Sequence, residues 1–199
     1  MRIPIERASW TPRLVIALTI ALTTILASTV DAANVRYMTL SDLVARADQI
    51  VRGTVVGSEE GTVSAGGGAV PIVAYRIRVE ESLKGGASAG DTIEVRLLGR
   101  LKQPTSGPLR RGPFFNDLPQ FTLGSDYLFV LTRPSAIGLS TTVGLRQGLF
   151  ELRGRPGAEL AVNGANNLGL FAGTTAGPRT SGPVPYGELI KQIHSLLRR

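Results

Sequence analysis

Val73-Ala74-Tyr75-Arg76-Ile77-Arg78-Val79-Glu80 is the stretch on which the fold turns. Val73, Tyr75, Ile77 and Val79 recur at every second position, and Arg76, Arg78 and Glu80 fill the alternate ones. Successive side chains of a strand point to opposite faces, so this pattern predicts a half-buried β-strand. The same period returns downstream, where Ile93, Val95 and Leu97 alternate with Thr92, Glu94 and Arg96 after a Gly90-Asp91 turn. Upstream, Val51, Gly53 and Val55 alternate with Arg52 and Thr54, which predicts a strand over Gln49–Gly57. The small, glycine-rich run Gly61–Gly68 between the first two strands reads as a mobile hairpin loop.

Tyr127-Leu128-Phe129-Val130-Leu131 is apolar throughout, which predicts a strand buried on both faces and therefore central. In 142–152 the parity of the apolar residues changes, from Val143 and Leu145 to Phe150 and Leu152. One extra residue at Gln147-Gly148 would restore a common face, so a β-bulge is expected there. Glu159–Val162 followed by Asn163-Gly164 reads as a short strand and a turn. Residues 99–120, with Pro104, Pro108, Pro113 and Pro119, and residues 166–184 read as irregular, the latter as surface loop.

Two helices complete the reading. Thr39-x-x-Asp42 has capping-box spacing ahead of Leu43, Val44 and Ala47. From about Pro185, Leu189, Ile190, Ile193, Leu196 and Leu197 form an apolar stripe, and Arg198-Arg199 suit the negative end of the helix dipole. The expected fold is mainly β: a small antiparallel OB-like barrel, with an open β-sandwich as the alternative, a short N-terminal helix and a C-terminal amphipathic helix. Barrel closure would leave so few strands without exposed edges.

The amino terminus reads differently from the rest. Arg2, Arg7 and Arg13 form a basic region, Leu14–Val30 carries no charge, and Val30-Asp31-Ala32 places small residues before Ala33. That three-part pattern predicts a secretory signal over residues 1–32, cleaved before Ala33, and a single exported domain over 33–199, periplasmic or extracellular. The alternative is an uncleaved anchor, yet the 17 uncharged residues, apolar apart from threonines and one serine, would rise about 26 Å as a helix, short of the roughly 30 Å hydrocarbon core. No cysteine occurs, which removes lipoprotein processing, thiolate metal sites and cysteine nucleophiles.

The chain carries a formal net charge of +7, of which the signal holds one unit (Arg2, Arg7 and Arg13 against Glu6 and Asp31). Nucleic-acid binders concentrate such charge on one face and interleave stacking aromatics, and neither feature is present, which argues against nucleic acid. The tightest basic cluster is Arg100, Lys102, Arg110 and Arg111, around a Pro/Gly-rich loop. A solvated rim is the favoured account, and contact with an anionic envelope polymer or an acidic protein partner is the sharper one.

Candidate chemistry is thin. Gly86-Ala87-Ser88-Ala89-Gly90 matches the Gly-x-Ser-x-Gly nucleophile pattern, and the sole histidine, His194, follows it in the order used by α/β hydrolases. The pattern needs a helix after the serine, and a strand is predicted instead. One histidine cannot assemble a zinc site, Gly66-Gly67-Gly68 lacks the Lys-Ser/Thr ending of a phosphate loop, and no cofactor is implied. Glu59-Glu60 and Glu80-Glu81 are sequence neighbours and are expected on opposite faces of their strands, which would keep either pair from acting as an acid/base couple.

The segments LSDLVARADQIVRGTVVGSEE, YRIRVEESLKG, GDTIEVRLLG, LGSDYLFVL and GLRQGLFEL together resemble exported bacterial proteins of uncharacterised role, some associated with secreted metalloproteases. Ala47-Asp48-x-Ile50-Val51-x-Gly53, Leu83-Lys84-Gly85 and Leu123-Gly124-x-x-Tyr127-Leu128 resemble, more distantly, the netrin-like OB-type barrel of tissue metalloprotease inhibitors. Those inhibitors chelate zinc through an amino-terminal cysteine that this chain lacks, so the resemblance carries no mechanism. The functional expectation is an exported, non-enzymatic interaction module. The alternatives are a modulator of a secreted metalloprotease and a small serine hydrolase using Ser88 and His194.

Overall fold

The alternating stretch forms the second of seven strands that make one antiparallel sheet in the order β3-β2-β1-β4-β5-β6-β7. The computed structural model describes residues 37–101, 118–173 and 181–199. The expected signal segment thus lies outside the described residues, as do Lys102, Arg110 and Arg111. In chain order the elements are α1 (Leu40–Arg46), β1 (Gln49–Ala65), β2 (Gly68–Lys84), β3 (Thr92–Leu98), β4 (Asp126–Leu131), β5 (Leu149–Arg153), β6 (Leu160–Asn163), β7 (Val184–Pro185) and α2 (Tyr186–Leu197). Among the described residues no helix is long and apolar enough to cross a membrane.

Periodicity sorts the side chains into two clusters. β4, central as expected, sends Leu128 and Val130 to one face and Tyr127, Phe129 and Leu131 to the other, all at most 6% exposed. The first face is covered by both helices: Leu40, Leu43, Leu189 and Ile193 pack on Ile50, Leu128, Val130 and Phe150. Thr39 caps α1 through the expected reciprocal bonds with Asp42. On the second face Val73, Tyr75, Ile77 and Val79 meet Val51, Val55, Val95 and Leu97. Phe121 sits among the rings of Tyr75, Phe129 and Tyr127 with centroids 4.7, 5.1 and 6.3 Å away. Burying each such aromatic or aliphatic side chain is worth roughly 1.5–3 kcal/mol.

Of the two expected closures the sheet takes the open one, with β3 and β7 at its edges. The sheet curls, and the turn-rich segment after β4 reaches the β3 edge, where the Ser140 N–H donates to the Arg96 carbonyl at 3.0 Å. A segment carrying Pro134 and a Gly138 of φ 76° cannot continue as a ladder strand, which is why the contact stops at that bond.

Three local expectations are corrected. The Gly61–Gly68 run is not a loop: β1 continues to Ala65 and β2 starts at Gly68, joined by Gly66-Gly67 with φ of 60° and 79°. Two consecutive positive φ values are what a two-residue I′ hairpin demands, and glycine supplies them without steric cost. The parity change near Gln147-Gly148 comes from a 3-10 turn, Leu145–Gly148, and not from a β-bulge. An added Cβ at Gly148 would stand 2.3 Å from the Val143 carbonyl oxygen, so the turn packs too closely for any larger residue. Lastly, part of 166–184 is not surface loop: Leu170 and Phe171 are buried in the helix-side core, and Val184 pairs with Ala161. Buried Asn163 and Asn167 hold this segment. The Asn167 amide donates to the carbonyls of Ala161 (2.9 Å) and Gly182 (2.8 Å), and its oxygen accepts from the Asn163 N–H (3.0 Å).

Candidate functional site

Of the expected basic patch, Arg100 alone is described. It follows β3 and borders a cavity of about 20 Å³ with Val73, Tyr75, Leu97 and Pro119. That volume is about one water molecule, too small for any polymer subunit. Ser88 lies in the turn from β2 to β3, where its N–H donates to Asp91 Oδ2 at 2.8 Å. A strand follows the turn, so the strand–turn–helix frame of a nucleophile elbow is not built around it. Neighbouring Ala87 packs on the second-face cluster, whereas His194 belongs to α2, which covers the first face.

The structure instead gathers a polar cluster that the strand period hides. Opposite Arg52 lies Glu81 and opposite Gly53 lies Val79, which leaves Glu80 unopposed as a β-bulge. The bulge turns both carboxylates toward the same centre, contrary to the expectation from simple alternation. Glu80 accepts from Thr54 Oγ1 at 2.6 Å and stands 3.5 Å from Arg52 Nε, while Glu81 accepts from the Tyr186 hydroxyl at 2.7 Å. Arg52 donates to Asp126 Oδ2 through Nη2 at 2.7 Å and to Glu159 Oε1 at 3.2 Å, with its guanidinium 4.9 Å from the Tyr186 ring centre. Strands β1, β2 and β4, the approach to β6 and the start of α2 therefore meet at one side chain.

The electrostatics follow from that geometry. Burial works against the Arg52 charge, but the bond to Asp126 and its charge outweigh it and raise the Arg52 pKa. Burial raises the Asp126 pKa despite Arg52, consistent with a buried Oδ1 that has no hydrogen-bond partner. Burial also raises the Tyr186 pKa, and the bond to Glu81 adds to it, so the phenol remains a donor. Glu159 is lowered, by its backbone hydrogen bonding first and by Arg52 after that. Four carboxylates around one guanidinium look like ligands, yet among the described residues no group of acidic or histidine side chains is placed to hold a metal ion. The cluster works as a junction between elements.

The second notable feature is the far half of the β1–β2 hairpin. The β4 ladder on β1 ends at Thr54, and the β3 ladder on β2 ends at Ile72. Past Val55 and Pro71, which still bond the turns beside them, the two main chains pair only with each other among the described residues, as far as Ala65 opposite Gly68, and the Leu101 N–H donates to Glu60 Oε1 at 2.7 Å. The closing pair of a two-residue hairpin exchanges hydrogen bonds, so Glu59, Gly61 and Val63 turn their main-chain groups toward β2. Ser58, Glu60, Thr62 and Ser64 turn theirs outward along an edge of about 20 Å. Neighbouring bonds agree with this: the Gly99 N–H reaches the Pro71 carbonyl on the far side of β2, and the Gly124 N–H reaches the Val55 carbonyl on the outer side of β1, after which the unopposed Val56 shifts the outward set from odd to even residues. The sequence signal for this arm was present in the Gly-Gly turn and the lack of charge from Gly61 to Ala74.

No model of a known protein family matches the chain, and no curated protein matches it. The site geometry therefore carries the functional argument alone.

Proposed function

We propose that this protein is an exported, non-enzymatic interaction module that binds polypeptide by strand addition to the outer edge of β1. The observation that carries the reading is the outward row at Ser58, Glu60, Thr62 and Ser64, set on an arm whose tip beyond Gly61 has little packing of its own. A two-stranded ribbon is marginal in water, and an edge without lysine or proline, and unpaired among the described residues, is a template for another strand. Main-chain hydrogen bonds would supply affinity, and the side chains alternating along the edge would supply selectivity.

A displayed library of extended eight-residue peptides, selected against the purified protein, tests this. Enriched peptides are expected to slow exchange of the Glu60, Thr62 and Ser64 amide protons and to lose binding to a Thr62→Pro variant. That proline removes an outward donor and leaves the bonds to β2 in place. Peptides that bind while those amides exchange freely, or that tolerate Thr62→Pro, would overturn the reading.

A further inference from the structure

We infer that the strand added to this edge is the same edge of a second copy of the chain, giving a two-fold dimer with the two arms antiparallel about Gly61. The inference rests on the strand-addition reading and goes further by naming the occupant. In an antiparallel pair, residues whose main-chain groups point outward must face residues that do the same. On this edge those are Ser58, Glu60, Thr62 and Ser64, so the pairing registers of two identical edges can be compared one by one.

Centring on Glu60 sets two carboxylates directly opposite, which is destabilising. Centring on Thr62 pushes Ser58 out against the glycine turn and leaves it unpaired. Centring on Gly61 pairs Ser58 with Ser64 and Glu60 with Thr62 in both directions, uses all four outward residues, and forms about eight main-chain hydrogen bonds. It places two glycines on the axis, where the chains approach most closely, at about 4.5 Å between Cα atoms.

The same register makes a second demand that the structure meets independently. It sets the partner's turn, beginning at Ala65, against Gly57 and Val56. Val56 is 43% exposed, and Leu123, one residue before the Gly124 N–H that bonds Val55, is 64% exposed. These two large apolar side chains stand in solvent at the base of the arm, where the partner's tip would cover them. The partner's tip is itself uncharged, reading Ala65-Gly66-Gly67-Gly68-Ala69.

Sedimentation velocity of the full chain from micromolar to millimolar concentration tests the inference, paired with amide exchange at both extremes. The expected result is a reversible monomer–dimer equilibrium in which the Glu60, Thr62 and Ser64 amides are protected only at high concentration. Gly61→Asp would place two carboxylates face to face on the axis, while in the monomer its Cβ meets Ile72 at an ordinary 3.6 Å. It is expected to weaken the dimer at least tenfold with the monomer's melting temperature unchanged, and Thr62→Pro should do the same. A chain that stays monomeric at millimolar concentration would overturn the inference, as would a dimer indifferent to both variants. A monomer whose β1 edge still captures library peptides would overturn self-pairing alone, whereas a monomer that captures none would remove the strand-addition reading with it.

Discussion

Replacing Arg52 by Met tests the central junction most directly. Methionine keeps an unbranched apolar stem in the space of the arginine stem, so the change isolates the guanidinium. The side chains of Arg52 and Asp126 are 21% and 27% exposed, close to buried but wet on one side. Two charged hydrogen bonds join them, from Nε at 3.1 Å and from Nη2 at 2.7 Å. Breaking a fully buried pair costs about 3–5 kcal/mol, and partial solvation of the stranded carboxylate reduces that. The expected loss is about 2–3 kcal/mol at pH 7, or roughly 4–12 °C in melting temperature for a domain of this size. The loss should shrink in acid, where Asp126, whose proton is held by burial, is neutral and leaves no stranded charge. Urea unfolding at pH 7 and pH 3.5 measures both quantities. A change under about 0.5 kcal/mol, or one that is equal at the two pH values, would show that the cluster is a surface ornament with no junction role. Arg52→Lys should recover only part of the loss, because an ammonium cannot donate from two nitrogens or lie flat on the Tyr186 ring.

The structure sets further expectations. Gly53→Ala would put a Cβ 2.4 Å from the Arg78 carbonyl oxygen and should cost about 2–3 kcal/mol, because β1 and β2 would have to part beside the bulge. Gly57→Ala meets only the movable Arg76 guanidinium, 2.8 Å from its Nε, and should cost about 1 kcal/mol or less; equal losses for the two variants in denaturant titrations would contradict this account. Asn167→Ala strands the carbonyls of Ala161 and Gly182 and the Asn163 N–H, for an expected loss of about 2–4 kcal/mol and faster proteolysis near Gly182. Asp126, with its pKa raised by burial, holds its proton more tightly in the native state than in the unfolded chain. Its contribution is therefore complete below the unfolded value of about 3.9 and is lost as pH rises through the native value. Asp126→Asn should remove that segment of the pH–stability profile, and profiles of identical slope in wild type and variant would refute the assignment.

Much of the architecture was legible because burial writes a period into the sequence. Val73 to Val79 could be assigned to one face, and Tyr127 to Leu131 to a central strand, without any tertiary information. Capping at Thr39 and Asp42 and the α2 stripe at Leu189 and Ile193 were equally local. The reading failed wherever the period was interrupted. Glu80 is turned by a bulge that depends on the partner strand, so its company with Glu81, Arg52 and Tyr186 had no sequence signal beyond the polar residues themselves. Gly61–Gly68 was misread because glycine abundance marks both loops and tight turns, and the φ values of Gly66 and Gly67 decide between them.

What the sequence by itself determined is the alternation, and with it a mainly β chain whose apolar faces must be covered from both sides. Hydrophobic burial is non-directional and needs only the right face, which local spacing supplies. Closure, register and the edge left unpaired were decided by the tertiary structure, because hydrogen-bond ladders depend on which strand arrives beside which. The open order β3-β2-β1-β4-β5-β6-β7 gives β1 a main-chain neighbour on its outer side, among the described residues, only as far as Val55. The row of outward main-chain groups beyond it, unpaired among the described residues, exists for that reason.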